Sequence, residues 1–308
     1  MPSRRTLAVV VAGLSAACLG ACGSSGDRGG DARTAVATTT QVADLARAVA
    51  GERAEVRQIL RPNSDPHAYE PRPSDVKAVA GAAVVLRSGG GLDDWLDGVV
   101  ANAGSGATIT TLIDVTPARR REGALDPHWW QDPRNAIAAV RRIRDVMIAA
   151  DPGGRAGYTA NAGAYVARLR ALDRAIASCM RSIPAPRRRL VTDHDALGAY
   201  TDRYDIEIVG AVIPGVSTQA QASAGEVARL VRTIRRTGVR TIFPQGSANA
   251  KLARAVARDA GAAIGAALYA DTLGPADSPG ATYIGSLRFN TRALAAGFGD
   301  GANAACQL

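Results

Sequence analysis

Short apolar segments rich in β-branched residues alternate with amphipathic segments along most of the chain. In the first half this pattern predicts strands at residues 35–40, 55–60, 83–86 and 108–110, and helices at residues 41–50, 74–80 and 92–101. In the second half it predicts strands at residues 190–192, 206–212, 241–243 and 263–269. Alternation of this kind is typical of βα units and parallel sheets. The sequence therefore predicts two α/β halves of similar size.

One amphipathic segment is much longer than the others. Apolar side chains recur at spacings of four and three from Tyr158 to Cys179, which predicts a helix with a single apolar stripe. A helix from Arg155 to Arg181 would be about 40 Å long, and Pro184 follows its end. We expect it to span both halves as a stiff connection. The alternative is a peripheral helix of one large domain.

The second half contains a further helix signal at Ser223, which is followed three residues later by Glu226. A serine and a glutamate at this spacing form a capping box, which fixes the start of a helix. Apolar residues then occupy one helical face: Val227, Leu230, Val231 and Ile234.

The N-terminus has the pattern of an export signal. Arg4 and Arg5 precede an apolar stretch that ends in the sequence LGAC at residues 19–22. This ending resembles the lipobox of bacterial lipoproteins, in which the thiol of Cys22 takes the lipid. The alternative is a plain secretory signal with a chance cysteine. We expect residues 1–21 to be removed and the glycine-rich residues 22–33 to form a flexible tether.

Composition places the rest of the chain among ordinary globular proteins. Of the 308 residues, 47% are apolar and 21% are charged, and no later apolar run has the ~20 residues that span a bilayer. The net charge is +9, with arginine runs at residues 119–121 and 187–189. Because these runs lack interleaved aromatic residues, we expect solvated loops and no nucleic-acid partner.

Two cysteines remain after removal of the signal and lipidation of Cys22. They are Cys179 and Cys306, an even pair in a protein expected to leave the cytoplasm. An oxidising compartment favours a disulfide between them. Two buried free thiols are the alternative. No CxxC motif occurs, so the sequence offers no support for a metal site built from sulfur.

All three histidines lie in similar local settings, in the triplets DPH at residues 65–67, DPH at 126–128 and DHD at 193–195. His67 and His194 follow predicted strands, and His128 precedes a helix that begins at Asp132 and Pro133. Since ligands gather at the carboxyl ends of parallel strands, the three imidazoles could converge on one cleft. A single histidine is more often a packing or surface residue, and these three lack the local spacing of an HExxH motif.

Four motifs around these residues resemble the zinc/manganese ABC-transporter substrate-binding lipoproteins, the TroA/ZnuA-like family. The first motif is residues 65–75 (DPHAYEPRPSD) and the second is residues 126–133 (DPHWWQDP). The third is residues 191–200 (VTDHDALGAY), and the fourth is residues 268–274 (LYADTLG) with residues 282–285 and Asn290 after it. The match covers essentially the whole chain after the signal, in the order typical of the family.

The resemblance implies two parallel-sheet α/β lobes joined by one long rigid helix, with a metal site in the cleft between them. Residues 34–152 would form the first lobe, residues 153–182 the linking helix and residues 183–308 the second lobe. The implied metal ligands are His67, His128, His194 and Asp271. Three imidazoles and a carboxylate suit Zn²⁺. The ordinary role of a loop aspartate such as Asp271 is a helix cap or turn.

The resemblance also implies a role and partners. The protein would be an extracytoplasmic, lipid-anchored solute-binding protein, in the periplasm or on the outer face of the cell membrane. We expect a monomer that hands Zn²⁺ to an ABC permease driven by a separate ATPase, with a metallochaperone as a further candidate partner. Mn²⁺ is the rival cargo. A zinc-dependent hydrolase is the alternative from another class, but Asp271 as a fourth ligand would close the position that a catalytic zinc keeps open.

Two departures from the family pattern concern the metal site. The histidine-rich loop common before the second motif of zinc importers is absent, and the corresponding segment ends in residues 119–121 (RRR). Gln245 stands where the family commonly has an acidic residue. Carboxylates that could orient the histidines are present nearby in sequence, at Glu70, Asp126, Asp193 and Asp195.

Overall fold

The computed structural model describes residues 31–121, 123–246, 251–299, 306 and 308. The expected signal peptide, the lipidation site at Cys22 and most of the expected tether lie outside the described residues. Among the described residues, no helix is long and apolar enough to cross a bilayer.

The first half, before the long helix, is built on a four-stranded parallel sheet with the order β2-β1-β3-β4. Its strands are β1 (Asp31–Ala37), β2 (Glu55–Gln58), β3 (Ala82–Arg87) and β4 (Thr108–Thr111). Its helices are α1 (Thr40–Ala50), α2 (Pro73–Ala80), α3 (Leu96–Ala103) and α4 (Pro133–Ala150). A short antiparallel hairpin lies between β4 and α4 and is formed by β5 (Arg120–Arg121) and β6 (Ala124–Leu125). The central strands are buried on both faces because helices cover the sheet.

The second half repeats this arrangement with shorter strands. They are β7 (Arg189–Thr192), β8 (Glu207–Ala211), β9 (Thr241–Ile242) and β10 (Ala263–Ile264). β7 pairs with β8 and β9 with β10, all in parallel, and a parallel bridge between Thr192 and Phe243 joins the two pairs. The helices are α6 (Gly198–Tyr204), α7 (Ala224–Thr237), α8 (Lys251–Ala260) and α9 (Tyr283–Phe298). The α/β fold class expected from the sequence is confirmed.

The long helix, α5 (Arg155–Arg181), has the bounds that its apolar pattern predicts. Its apolar stripe is buried from Tyr158 to Cys179. The helix packs on α1 and α4 of the first half and on α6 and α9 of the second. The two halves therefore share a stiff support along about 40 Å of helix.

Three predicted elements differ from the structure by several residues. The first strand is Asp31–Ala37 rather than residues 35–40, because the side chain of Thr39 caps α1 and Thr40 already belongs to that helix. The third helix begins at Leu96 rather than at residue 92. The buried carboxylate of Asp93 accepts hydrogen bonds from the backbone N–H groups of Ser88 (2.6 Å) and Gly89 (2.9 Å), and these bonds hold the chain in a turn before the helix. The last predicted strand, residues 263–269, is limited to Ala263–Ile264. The small residues that follow, Gly-Ala-Ala, have low strand propensity. Pairing resumes at Leu268, which bridges to Gln245.

The expectation of solvated arginine runs is wrong for several of their residues. Arg119 is ion-paired with Asp126 (3.4 Å) and Asp202 (2.9 Å), and Arg121 lies 3.2 Å from Asp195. In the other run the Arg188 side chain is buried. Arginine occurs at these positions because carboxylates brought close by the fold require a cation.

A disulfide joins Cys179, at the end of α5, to Cys306 near the C-terminus. The bond closes a segment of 127 residues that contains the whole second half. Such a long closed loop restricts the unfolded chain strongly.

Replacing Cys306 by serine is therefore expected to lower the free energy of unfolding by about 2–4 kcal/mol. The measurement is denaturant unfolding of the wild type and of Cys306→Ser, each with and without reductant. Reduced wild type is expected to match the variant. Equal stability of oxidised wild type and variant would contradict a stabilising disulfide.

Candidate metal site

Four side chains from four separate loops converge between the two halves. A nitrogen or oxygen atom from each of them lies within 4.8 Å of the corresponding atom of every other, and the four residues are His67, His128, His194 and Asp271. Three of these residues are fully buried, and only His67 is half-buried. The structure thus brings together all four residues that the sequence motifs predict.

The strands and the turns after them position these residues. His67 lies in a 3₁₀ turn (Pro66–Ala68) after β2, His128 follows β6, and His194 lies two residues after β7. Asp271 follows the bridge at Leu268, next to β9. The loops that carry His67 and His194 follow parallel strands and therefore gather at the carboxyl edges of the sheets, which is where α/β proteins bind ligands. His128 is brought there by the short antiparallel hairpin of β5 and β6.

The two Asp-Pro-His triplets fold in the same way. In each, the aspartate side chain accepts a hydrogen bond from the histidine backbone N–H, at 2.9 Å from Asp65 to His67 and at 3.0 Å from Asp126 to His128. An aspartate that bonds to the backbone two residues later forms a tight turn. Each triplet therefore forms a local turn that directs its imidazole toward the cluster.

His128 is the most firmly oriented of the three imidazoles. Its Nδ1 lies 2.8 Å from Oδ1 of Asp126, which leaves Nε2 directed at the cluster. That Nε2 lies 3.3 Å from Oδ1 of Asp271 and 3.4 Å from Nε2 of His67. A carboxylate on the far ring nitrogen is the usual arrangement for a metal-binding histidine.

His194 is held through its backbone rather than through its ring. Its carbonyl accepts hydrogen bonds from Oγ1 of Thr192 (2.8 Å) and Nε2 of Gln245 (3.1 Å), and its Nε2 lies 3.3 Å from Oδ2 of Asp271. Its Nδ1 is buried without a hydrogen-bond partner among the described residues. The side-chain amide of Gln245 donates a hydrogen bond to this carbonyl, which a glutamate carboxylate could not do. The departure from the family pattern therefore has a structural role at this loop.

The Asp271 loop belongs to the second half but is bonded to the first. The carbonyl of Ala270 accepts three hydrogen bonds, from Gln41 (3.2 Å), Trp130 (2.9 Å) and Gln131 (2.9 Å). On the other side of Asp271, the backbone N–H of Leu273 donates to Thr40 at 2.8 Å. The carboxylate is therefore fixed between His128 and His194.

The electrostatics of the cluster favour a cation. Burial lowers the pKa of His67 to about 4, so its imidazole is neutral at pH 7. Burial raises the pKa of Asp271, but His194 and His128 outweigh this effect and hold it well below its usual range. For His128, burial is outweighed by hydrogen bonds to Asp126 and Asp271, which raise its pKa to about 9. A metal ion would take the place of the proton that His128 holds between the two carboxylates.

Contacts across the cleft surround the cluster. Thr218 of the second half donates to Asp65 at 2.7 Å, and Gln219 donates to the carbonyl of His67. On the other side, Arg119 joins Asp126 of the first half to Asp202 on α6 of the second. The turns carrying His67 and His128 are thus both bonded to the second half.

Of the four carboxylates considered for orienting the histidines, only Asp126 contacts an imidazole directly. The carboxylate of Asp193 accepts the backbone N–H of Gln245 at 2.8 Å, Asp195 pairs with Arg121, and Glu70 is exposed. The sequence reasoning missed Asp65 and the Ala270 carbonyl. The repeated triplet was a signal for Asp65, whereas nothing local marks a backbone carbonyl.

Comparison with known proteins identifies several similar chains. Residues 35–297 match the family model described as zinc-uptake complex component A, periplasmic (ZnuA). The manganese-binding lipoprotein MntA of Halalkalibacterium halodurans is 30% identical over 94% of this chain and 96% of its own length. The iron-binding protein YfeA of Yersinia pestis is 29% identical over 86% of each chain. The structure of the periplasmic zinc-binding protein TroA of Treponema pallidum superposes with a TM-score of 0.81, at 26% identity, over 86% of this chain and 99% of TroA.

Replacing Arg119 by glutamine is expected to lower the free energy of unfolding by about 1–3 kcal/mol, since it removes the guanidinium beside Oδ2 of the buried Asp126, whose Oδ1 keeps its contact with His128. Its neighbour Arg120 is the matched control, because its side chain is exposed and, among the described residues, bonds only to the carbonyl of Gly123. Denaturant unfolding of Arg119→Gln and Arg120→Gln measures the difference. Equal stability of the two variants would show that the ion pairs of Arg119 contribute nothing.

Proposed function

This chain belongs to the family of zinc-uptake complex component A, and we propose that its cargo is Zn²⁺, bound by His67, His128, His194 and Asp271. Members of this family are the substrate-binding components of metal ABC transporters and are not enzymes. The function of the chain is therefore to bind a metal ion for import.

The main support for Zn²⁺ as cargo is the set of donor atoms at the site. Three imidazole nitrogens and one carboxylate oxygen lie within 4.8 Å of one another, which suits four-coordinate Zn²⁺ with bonds of about 2.0–2.2 Å. Other carboxylates nearby are engaged elsewhere, Asp126 with His128 and Asp193 with Gln245. Among the described residues this is the one group of histidine, cysteine and acidic side chains able to hold an ion.

The names of the relatives do not decide the metal, because they include manganese, iron and zinc binders. The chemistry of the ligands favours zinc. Mn²⁺ prefers six oxygen-rich ligands, whereas imidazole suits Zn²⁺. The amide of Gln245 adds no negative charge to the site, and its Nε2 is directed at the His194 carbonyl rather than at the cluster.

Ion entry would occur on the side of His67, since the other three ligands are fully buried. The turn of His67 is bonded to the second half through Thr218 and Gln219, both in a segment that lies outside the helices and strands. Release of these side-chain hydrogen bonds would expose the ion without disturbing His128, His194 or Asp271.

In the cell, the protein would be anchored by lipid on Cys22 outside the cytoplasm. It would deliver Zn²⁺ to a permease that a separate ATPase drives, since family members serve ABC importers. A metallochaperone that loads the site is a further candidate partner.

Replacing Asp271 by asparagine is expected to weaken Zn²⁺ binding at least about 100-fold, because the only anionic ligand is lost. Asp277→Asn is the matched control, since Asp277 is exposed on the same segment. Metal-free protein is titrated with Zn²⁺ against a chelator of known affinity. His194→Ala is expected to show a comparable loss. Unchanged affinity in Asp271→Asn would contradict the proposed ligand set.

The same titration, repeated with Mn²⁺ present in excess, tests the choice of metal. Zinc is expected to bind with one equivalent that manganese does not displace. Since nitrogen sites bind zinc more tightly in general, the informative result is the affinity for manganese alone. Tight stoichiometric manganese binding would overturn the assignment of zinc as cargo and leave the ligand set intact.

A further inference from the structure

Positive charge is concentrated in one segment of the second half. Residues 224–260 contain eight arginine and lysine residues and two carboxylates, a net charge of +6. Residues 31–308 as a whole carry +7, so the remainder of that range is nearly neutral. The segment comprises α7, β9 and α8.

The charges lie on the outer stripes of two adjacent helices. The strand order of the second half is β8-β7-β9-β10, α7 connects β8 to β9, and α8 connects β9 to β10. Both connections run in the same direction across the sheet. Because such crossovers are right-handed, both helices lie on one face of the sheet. The helices pack together, with Ile234 and Val256 in a shared apolar cluster. The basic face is defined by six exposed residues at spacings of three and four: Arg229, Arg232, Arg236, Lys251, Arg254 and Arg258.

The fold compensates this charge only in part, since Arg258 is paired with Asp259. Arg229, Arg232 and Arg254 form no hydrogen bond or ion pair within the part of the chain that the structure describes. Some arginines elsewhere are engaged, as Arg119 is with Asp126 and Arg203 is with Asp173, but others such as Arg142 on α4 also have no partner among the described residues. What distinguishes the basic face is therefore the clustering of its cations on two adjacent helices. Like charges at these helical spacings repel one another, so stability of the helices does not account for them.

We propose that the basic face binds the anionic lipid headgroups of the membrane that carries the chain's anchor. With lipid on Cys22, nine residues separate the anchor from Asp31 if Cys22 is counted. Fully extended, they reach at most about 32 Å, so the folded part remains close to the bilayer. The six cations of the face can then meet the negative headgroups when this side of the molecule is turned toward the bilayer.

A headgroup layer fits this face better than an acidic protein surface does. Protein interfaces are centred on buried aromatic or apolar anchors. The only aromatic residue in the sequence of residues 224–260 is Phe243, which is fully buried. Among the residues of this range that the structure describes, the one exposed large apolar side chain is Leu252. A broad array of exposed cations without an apolar centre suits a dense, fluid layer of negative charge.

The test uses the chain from Gly23 onward, which lacks the lipid and retains every described element. It is mixed with vesicles of phosphatidylcholine alone or of phosphatidylcholine with phosphatidylglycerol, and bound protein is separated by flotation. We expect binding only to the anionic vesicles, and its loss at high salt. The triple variant Arg229→Gln, Arg232→Gln, Arg254→Gln is expected to bind on the order of 100-fold more weakly.

The matched control replaces Arg142, Arg170 and Arg174 by glutamine, since these residues are exposed on α4 and α5 and the net charge is the same. It is expected to bind anionic vesicles like the wild type. Replacing the three face residues by lysine is expected to preserve binding, and Zn²⁺ affinity is expected to be equal in all variants. Equal losses in both glutamine variants would overturn the proposal, because net charge alone would then explain binding. Absence of binding to anionic vesicles by the wild type would also overturn it and favour an acidic protein as partner.

Discussion

The metal site depends on one buried carboxylate that is held from both halves of the molecule. Asp271 lies between His128 and His194, each at 3.3 Å, and the neighbouring carbonyl of Ala270 accepts donors from Gln41, Trp130 and Gln131. A buried anion is costly unless a cation and hydrogen bonds compensate it. Fixing the loop through its backbone leaves the carboxylate itself directed at the imidazoles, where a metal ion can bind.

The rest of the fold keeps this geometry rigid. Asp44 on α1 accepts hydrogen bonds from the Tyr165 hydroxyl on α5 (3.2 Å) and from the backbone N–H of Tyr283 on α9 (3.0 Å). The Tyr283 hydroxyl in turn donates to the carbonyl of Trp130 at 2.5 Å. The first half, the long helix and the second half are therefore tied together beside the site. These hydrogen bonds oppose rotation of the two halves relative to one another.

Sequence reasoning recovers features that local patterns encode. The spacing of apolar residues along α5 fixes its face and its length, and the Asp-Pro-His triplets mark two of the four converging side chains. Contacts between residues far apart in sequence have no local signature. The hydrogen bond from Gln41 to Ala270 joins residues that are 229 apart in sequence. The ion pair between Arg119 and Asp202 crosses the cleft, although the sequence around Arg119 predicts solvated arginines. Both depend on the relative placement of the two halves, which no short motif specifies.

We propose that side chains from both halves form one four-ligand zinc site. Anomalous diffraction at the zinc edge, from crystals of the Zn²⁺-loaded protein, tests it most directly because it locates the ion and its ligands together. We expect one zinc peak at about 2.0–2.2 Å from a nitrogen of each imidazole and an oxygen of the carboxylate, in His67, His128, His194 and Asp271. A zinc peak elsewhere, or a shell that lacks any of these four side chains, would contradict it.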